Sequence, residues 1–564
     1  MEPSLAGPQR GLPVLLSGSV RRAPIAPEIR RVPVGAASSI GQDAATRLIT
    51  ALQDPSRYSH PCNAVKVVET HLSWVLLTGA FAYKIKKPVD FGFVNFTTLD
   101  RRRYFCEEEL RLNRRLAPRL YLDVVAITGE PDAPRIEGSG PAIEYAVRMV
   151  QFPQEQLAAR QLAQRGLTAW HIDALAHDVA AFHDRIPWAG AAMGHGDPDR
   201  VHAPVRQNFA QLRELLAADS DRRQVQALAR WSEARFAAIR DVLQRRQQAG
   251  HVRECHGDLH LGNMALLDGR LVMFDGIEFN PALRWIDTAS EVAFVVMDLL
   301  HRGSAKFSHQ FLSAYLETSG DYPSLQVMDY YLVYRAMVRA KIAAIRAQQS
   351  AHGAAAGLDE ARAYLKLAAS LARPRRPALL ITHGLSGSGK TTLSQALVGG
   401  LGMIRVRSDV ERKRLFGLAP SARTAAGAGQ GIYSPEATAR TYEVLEERAA
   451  AIVQAGYGAM VDATFLRHSQ RARFADLADR LGCPFAIIAF EAGPATLRRR
   501  VSERAESEAD ASEATLDILD AQLQERQDLS ASERATAVVI DTEQPDAAEY
   551  LSRAVSARLD AKRG

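Results

Sequence analysis

A glycine-rich loop between an apolar run and a helix-forming segment is the strongest constraint on this sequence. Residues 378–382 read Ala-Leu-Leu-Ile-Thr, and a helix is expected from about Leu393. Between them lie Gly384, Leu385, Ser386, Gly387, Ser388, Gly389, Lys390, Thr391 and Thr392. Glycines at a strand-to-helix junction let backbone N–H groups converge on a phosphate, and the helix N-terminus adds its dipole. This loop (residues 384–391) therefore predicts nucleotide binding, with Lys390 on the β- and γ-phosphates and the Thr391 hydroxyl on Mg²⁺.

The chain after this loop alternates apolar runs with helix-forming segments. The apolar runs are 378–382, 403–406, 459–461, 485–490 and 537–540. Strands that alternate with helices form a parallel sheet with helices packed on it. We therefore predict an α/β domain over 378–564.

A second motif lies earlier in the chain. Residues 256–263 read His-Gly-Asp-Leu-His-Leu-Gly-Asn, so Asp258 and Asn263 are five residues apart. The apolar run 271–274 then ends in Asp275-Gly. Phosphoryl transfer uses a carboxylate that orients the attacking hydroxyl and oxygen ligands that hold Mg²⁺. The spacing predicts a second catalytic loop, with Asp258 in the first role and Asn263 and Asp275 in the second.

The length of 564 residues exceeds what one hydrophobic core supports, so more than one domain is expected. Residues 1–40 are rich in Pro, Ala, Gly and Arg and are predicted to be a disordered tail rather than a transit peptide. Residues 41–372 begin with short strands and a helix over 100–116, and long amphipathic helices follow over 168–248. Arg373-Pro-Arg-Arg-Pro377 cannot continue a helix and is predicted to be a linker.

The motif at 256–275 resembles that of the aminoglycoside phosphotransferase and choline kinase branch of the protein-kinase-like fold. The resemblance covers about residues 41–352 and implies an α+β kinase-like domain. It also implies a nucleotide-binding lysine on an early strand, for which Lys84 is preferred and Lys86 remains a rival. Its ion-pair partner is expected among Glu107, Glu108 and Glu109, and Glu108 is the choice. The sequence departs from the kinase pattern because no Gly-x-Gly-x-x-Gly precedes Lys84.

Three polar residues of this domain have open or structural interpretations. Asp287 either anchors the catalytic loop or acts directly. His260 is interpreted as a packing or hydrogen-bonding residue, and His183 as a core histidine.

The C-terminal domain resembles the polynucleotide kinase, gluconate kinase and zeta toxin group of P-loop kinases. The resemblance implies that Asp409, at the end of the second strand, acts as the base and that Arg412 binds an anionic substrate. Asp462, at the end of the third strand, is implied as a Mg²⁺ or substrate residue. Arg500 and Arg504 are one helical turn apart and are implied as lid residues that clamp the phosphoryl group. No Asn-Lys-x-Asp motif for guanine is visible, so ATP is favoured over GTP.

The composition of the chain limits the binding partners and the cellular compartment that we expect. The net charge of +6 fits a surface that serves anionic nucleotides, and no basic–aromatic cluster favours nucleic acid. Four cysteines without a CxxC pair argue against zinc and disulfides and favour a reducing compartment. No apolar stretch reaches the roughly 20 residues of a membrane span. A cytoplasmic protein is expected.

These features together predict a bifunctional ATP-dependent phosphotransferase that uses Mg²⁺ and acts on hydroxyl groups of small molecules. One alternative is that the N-terminal domain binds nucleotide without catalysis and gates the P-loop domain. Another is a polynucleotide 5′-hydroxyl kinase. The phosphate acceptors and the oligomeric state do not follow from the sequence.

Overall fold

An antiparallel sheet opens the described chain. The computed structural model describes residues 42–92, 94–349, 354–420, 422, 424, 430–505 and 515–561, and the predicted tail at 1–40 lies outside them. The six strands of the first sheet are β1 (Lys66–Glu69), β2 (Ser73–Leu77), β3 (Phe81–Lys86), β4 (Tyr121–Glu130), β5 (Ala133–Ile136) and β6 (Ala142–Val150). Their order is β1-β2-β3-β6-β4-β5, antiparallel throughout.

Two helices accompany this sheet. The sequence predicted strands from position 41, but the first element is helix α1 (Gln42–Ala51). Ala45, Leu48 and Ile49 are buried at i, i+3 and i+4, which is helical rather than strand spacing. Helix α2 (Leu99–Asn113) packs on β4 and β6, and its N-terminus is capped by Thr98, whose hydroxyl accepts from the Arg101 N–H.

A helical region with two short two-stranded antiparallel sheets follows the first sheet. Its helices are α3 (Ala158–Ala163), α4 (Ala169–Arg185), α5 (Pro198–Leu215), α6 (Asp219–Gln248), α7 (Pro281–Arg284), α8 (Thr288–His301), α9 (Ala305–Ser319), α10 (Leu325–Gln349) and α11 (Ala354–Leu371). Strand β7 (Val252–Glu254) pairs with β10 (Trp285–Asp287), and β8 (Met264–Leu267) pairs with β9 (Arg270–Met273). A small antiparallel sheet followed by helices is the α+β arrangement that the sequence predicted.

The C-terminal part is a five-stranded parallel sheet covered by helices. Its strands are β11 (Leu379–His383), β12 (Ile404–Arg407), β13 (Ala459–Asp462), β14 (Phe485–Glu491) and β15 (Val538–Asp541), in the order β12-β13-β11-β14-β15. The helices are α12 (Lys390–Leu401), α13 (Ser408–Leu415), α14 (Pro435–Gln454), α15 (His468–Leu481), α16 (Pro494–Ala505), α17 (Leu516–Glu525), α18 (Ala531–Thr536) and α19 (Ala547–Ala561). All five predicted strands are present and parallel, so the predicted α/β class is confirmed.

The helical region and the parallel sheet pack against each other. The largest cluster of buried apolar side chains contains Tyr315 and Tyr322 from the helical region. It also contains Val406 of β12 and Leu445 of α14 from the C-terminal part. Residues 372–378 form neither helix nor strand, and the domain boundary at 373–377 stays a prediction. No helix in the described ranges is both long and apolar enough to span a bilayer.

Candidate functional site

The phosphate-binding loop lies at the carboxyl end of the buried central strand β11. All five residues of β11 are buried, and helix α12 begins at Lys390. Gly387 has a φ of 81°, and a Cβ there would lie 2.7 Å from the Leu497 carbonyl oxygen. Only glycine meets both conditions, which explains why a glycine stands at this position of the loop.

The loop residues divide between two sides. Ser386, Gly387, Gly389 and Thr392 line a cavity of about 650 Å³ beside the loop. Leu385 and Ser388 line a separate cavity of about 200 Å³. The Gly384 carbonyl accepts a hydrogen bond from Lys390 Nζ at 3.0 Å.

Lys390 and Thr391 contact the loop backbone and the neighbouring strand, and their predicted roles on phosphate and Mg²⁺ stay predictions. Lys390 Nζ also donates to the Leu385 carbonyl at 2.8 Å, so the ammonium lies across the loop. The Thr391 hydroxyl donates to Asp462 Oδ2 at 2.8 Å. Thr391 lies in the first turn of α12, which follows the central strand β11 through the loop, and Asp462 ends the neighbouring strand β13. A hydroxyl and a carboxylate side by side provide the hard oxygen donors that Mg²⁺ prefers.

Asp409 and Arg412 share the larger cavity with this pair. Both lie on α13, directly after β12, and the cavity is also lined by Lys390, Thr391 and Asp462. Arg412 is buried, stacks over the Tyr433 ring and donates to the Ile432 carbonyl at 2.8 Å. Within the described chain its buried Nε has no hydrogen-bond partner. The structure therefore brings the carboxylates of Asp409 and Asp462 to the same cavity as Lys390, Thr391 and Arg412.

Arg500 lies beside the loop rather than in the cavity wall. Its guanidinium donates to the Thr542 hydroxyl at 2.9 Å and to the Thr542 carbonyl at 3.0 Å, and it approaches the Gly387 carbonyl at 3.4 Å. The side chain of Arg504 lies outside the described residues. The predicted lid role of this pair stays a prediction.

The cavity lining includes residues to which the sequence analysis gave no role, among them Arg407, Arg467, Arg473 and Gln522. The Gln522 side-chain carbonyl accepts from the Ser386 N–H at 2.9 Å, which places helix α17 over the loop. Arg407 was visible as the residue before Ser408-Asp409, and Arg467 as the third residue after Thr464. Gln522 gave no sequence signal, because α17 is more than a hundred residues from the loop.

His383, the last residue of β11, is buried beneath the loop. Its Nδ1 lies 3.1 Å from the Phe465 carbonyl oxygen, so this nitrogen carries the proton. Burial lowers the pKa of His383 to about 4. The ring is therefore neutral at neutral pH and adds no charge to the nearby loop.

A second constellation lies in the N-terminal part, where two lysines of β3 meet a glutamate of α2. Lys84 Nζ is 2.8 Å from Glu109 Oε1 and 2.5 Å from Asp275 Oδ1. Lys86 Nζ is 2.5 Å from Glu109 Oε2 and also contacts Glu278. Lys84 is thus the lysine that contacts Asp275, whereas the fully buried Lys86 faces Glu278. The preference for Lys84 over Lys86 as the phosphate-binding lysine stays a prediction.

The expected ion-pair partner Glu108 was wrong, because Glu109 takes that place. Glu108 lies on another face of α2 and pairs with Arg111 at 2.9 Å and Arg284 at 3.4 Å. Glu109 is fully buried. Burial alone would raise its pKa, but Lys84 and Lys86 hold the pKa of Glu109 below its usual range. Burial likewise opposes the charge on Lys84, but Asp275 and Glu109 raise its pKa well above the usual value.

The predicted catalytic loop at 256–263 is held together by hydrogen bonds between its own residues. Asn263 Nδ2 donates to Asp258 Oδ2 at 2.9 Å and to the Asp258 carbonyl at 3.0 Å. The Phe274 N–H donates to the Asn263 carbonyl at 3.0 Å, so Asn263 and Asp275 lie at neighbouring strand ends. Burial raises the pKa of Asp258, but His260, 3.5 Å away, together with Arg339 holds it well below its usual range. Asp258 is therefore a carboxylate at neutral pH.

Two carboxylates of helix α8 accept hydrogen bonds from the backbone of this loop. Glu291 Oε1 accepts from the Gly257 N–H at 2.7 Å, and Asp298 Oδ2 accepts from the Leu261 N–H at 2.9 Å. Asp287 caps the helix through the Ala289 N–H and pairs with Arg246 at 2.8 Å, which is an anchoring role.

His183 belongs to the same buried network. It bridges Glu291 Oε2 at 2.8 Å and the Tyr315 hydroxyl at 2.9 Å, as expected of a core histidine. With Cys255 and Glu291 it forms a set of metal-ligand types within 4.8 Å. Both ring nitrogens and the Glu291 carboxylate already have hydrogen-bond partners, so this set is interpreted as structural.

Comparison with known proteins gives a family match in the C-terminal part and relatives that cover most of the chain. Residues 379–529 match the family model of an AAA domain, which confirms the predicted P-loop domain. Uncharacterised proteins from Mycobacterium tuberculosis (strain ATCC 25618 / H37Rv) and Mycobacterium bovis are each 28% identical over 408 residues, 71% of this chain and 78% of the relative.

Solved structures align with each region separately. A gluconokinase from Sinorhizobium meliloti is 18% identical and covers 34% of this chain and 97% of its own, with a TM-score of 0.25. A choline/ethanolamine kinase family protein from Mesorhizobium loti is 10% identical and covers 59% of this chain and 98% of its own, with a TM-score of 0.35.

Proposed function

We propose that this protein is an ATP-dependent phosphotransferase that passes the γ-phosphoryl group of ATP to a hydroxyl of a small molecule at the P-loop cavity. The observation that carries the proposal is that Lys390, Thr391, Asp409 and Asp462 line one cavity beside the loop. A motor or switch protein needs the lysine, the hydroxyl and the metal-binding carboxylate. The additional carboxylate of Asp409, opposite the loop, is the feature that an acceptor hydroxyl requires.

In the proposed reaction Asp409 accepts the proton of the acceptor hydroxyl while the hydroxyl oxygen attacks the γ-phosphorus. The bond from the γ-phosphorus to the bridging oxygen breaks, and ADP leaves with that electron pair. Lys390 neutralises charge on the β- and γ-phosphates, and Arg412 holds an anionic part of the acceptor. Thr391 and Asp462 would hold Mg²⁺, which neutralises phosphate charge when bound.

The catalytic loop of the N-terminal part is proposed as a second phosphotransfer site. Asp258 orients the acceptor hydroxyl there, and Asn263 and Asp275 are the proposed Mg²⁺ ligands. The alternative is a nucleotide-binding domain without turnover that regulates the P-loop site. Both readings require a phosphate to compete with Asp275 for the Lys84 ammonium, which also pairs with Glu109.

A mass-resolved screen of metabolite extracts tests the phosphotransferase directly. Wild-type protein with ATP and Mg²⁺ is expected to add one phosphate to at least one hydroxyl compound. Lys390→Ala and Asp409→Asn are each expected to lower that product by about 100-fold, because each removes a transition-state interaction. Lys366→Ala, an exposed lysine on α11, is the matched control. Wild-type rates in both loop and base variants would refute the proposal.

The number of nucleotide sites, together with the products of an Asp258 variant, distinguishes a catalytic from a regulatory N-terminal part. Calorimetric titration of the full chain with ATP and Mg²⁺ is expected to show two sites, and Lys84→Ala is expected to remove one. Two sites with a product pattern that Asp258→Asn leaves unchanged would favour regulation over a second catalytic site. Transfer of label to a 5′-hydroxyl oligonucleotide would instead indicate a polynucleotide kinase.

A further inference from the structure

One wall of the P-loop cavity rests on a helix of the N-terminal part. That wall is the segment Ile404–Leu415, formed by β12 and α13, and it carries Arg407, Asp409 and Arg412. Helix α9 packs against both β12 and α12. The segment that presents the proposed base is therefore sandwiched between its own sheet and a helix from the other part of the chain.

Glu317 of α9 is the charged residue at the centre of this contact. Its Oε2 lies 3.4 Å from Arg405 Nε, and its Oε1 lies 3.5 Å from a terminal nitrogen of Arg407. The Glu317 side chain is only 16% exposed, so solvent weakens these two ion pairs little. Arg405 also donates to the Thr391 carbonyl at 3.2 Å, which links Glu317 to the start of helix α12.

The end of α9 also fixes the far end of the segment. Arg414 donates to the Glu317 and Thr318 carbonyls and pairs with the buried Glu411. The Ser313 hydroxyl accepts from the Arg405 N–H at 3.1 Å. Backbone and side-chain contacts from α9 thus hold the segment on both sides of Asp409.

We propose that Glu317 is a positioning residue for the P-loop reaction, so that the N-terminal part completes the active site of the C-terminal part. This inference rests on the phosphotransferase proposed for that cavity. Arg407 lines the same cavity as the carboxylates of Asp409 and Asp462. By pairing with Arg407, Glu317 keeps that guanidinium from neutralising the Asp409 carboxylate. It also fixes β12, the strand that precedes Asp409.

Hydrogen–deuterium exchange of the full chain tests this positioning without knowledge of the acceptor. Glu317→Gln is expected to speed amide exchange in residues 404–415 by about threefold or more, because a pair of contacts is lost, while residues 485–491 of β14 stay unchanged. Asp329→Asn is the matched control, since Asp329 pairs with Arg235 at 2.9 Å, is 24% exposed and contacts neither β12 nor α13 in the described structure.

Turnover gives the second measurement. Glu317→Gln is expected to lower kcat, measured as the rate of ADP formation, by about tenfold and to leave KM for ATP within about twofold. The reason is that the segment 404–415 carries the proposed acceptor residues Asp409 and Arg412 and not the phosphate-binding loop. Glu317→Asp, which keeps the charge, is expected to recover most of kcat, and it replaces Glu317→Gln if that variant does not fold.

Two results would overturn the inference: unchanged exchange over 404–415 in Glu317→Gln, or equal acceleration in Asp329→Asn. A wild-type protein without any turnover would count against the phosphotransferase itself, and the exchange comparison would still decide the role of Glu317.

Discussion

Glu108 and Glu109 are neighbours in the sequence that helix α2 turns toward different surroundings. The sequence predicted that only one of the three consecutive glutamates faces inward, because successive helical residues are about 100° apart. The choice of Glu108 was wrong, since the residue that faces inward depends on how α2 is rotated against β4 and β6. The Thr391–Asp462 contact was easier to anticipate, because the ends of neighbouring parallel strands meet at one edge of the sheet.

Replacement of Glu109 by Gln is expected to destabilise the N-terminal part by about 3 kcal/mol, because two buried ammonium groups lose a shared partner. Glu108→Gln is the adjacent control and is expected to cost about 1 kcal/mol or less, since Glu254 still pairs with Arg111 and Arg284. Urea unfolding followed by tryptophan fluorescence measures both. Equal losses in the two variants would contradict the assignment of Glu109.

The buried His383 is expected to make the C-terminal part less stable in acid. Its pKa of about 4 in the folded protein lies below the value near 6.5 of an exposed imidazole, so the unfolded chain binds more protons between these values. The stability from the neutral ring is therefore complete above about pH 6.5 and is lost as the pH falls toward 4, by about 2 to 3 kcal/mol.

His383→Asn cannot titrate and is expected to flatten the fall in unfolding midpoint between pH 7 and pH 5. His468→Asn, an exposed histidine of the same region, controls for the loss of a histidine. An unaltered pH slope in His383→Asn would show that the acid sensitivity has another source.

Individual elements differ in how well the sequence predicts them. The strands of the parallel sheet are short, nearly continuous apolar runs with every residue of β11 and β13 buried, so they were predicted. Strand β4 has no regular alternation of buried and exposed residues, and it was missed. Helix α1 was also missed, because its ten residues give only one short buried stripe.

Within the phosphate-binding loop, Gly387→Ala is expected to weaken ATP binding by about tenfold. The new Cβ must displace the Leu497 carbonyl of α16. The alanine must also adopt a left-handed backbone conformation, which costs about 1 kcal/mol. Gly400→Ala on α12 meets no atom within 4 Å and is expected to leave binding unchanged. Calorimetric titration with ATP compares them, and an equal affinity for both would contradict the tight fit at Gly387.

At the scale of the whole molecule, the sequence predicted two domains joined by a linker but not how they meet. Motifs and periodicity report on local structure, whereas the contact of α9 with β12, α12 and α13 depends on shapes formed by distant segments. The mixed apolar cluster shows that the two parts share buried surface.

Coexpression of the chain as two fragments divided within 373–377 is expected to yield a complex that stays together in about 1 M salt. Apolar packing is not screened by ions, whereas the Glu317 ion pairs are only partly protected. Size-exclusion chromatography at low and high salt measures the association. Fragments that elute apart even at low salt would contradict a shared core.

Helix α9 lies in the N-terminal half of the sequence, but it packs on β12 and α12 of the C-terminal half. A gene fusion of two self-sufficient modules would tolerate exchange of either module for a homologue. Here an exchange brings a foreign surface against Arg405, Arg407 and Arg414, so the two halves are expected to change together during evolution and to resist recombination between distant relatives.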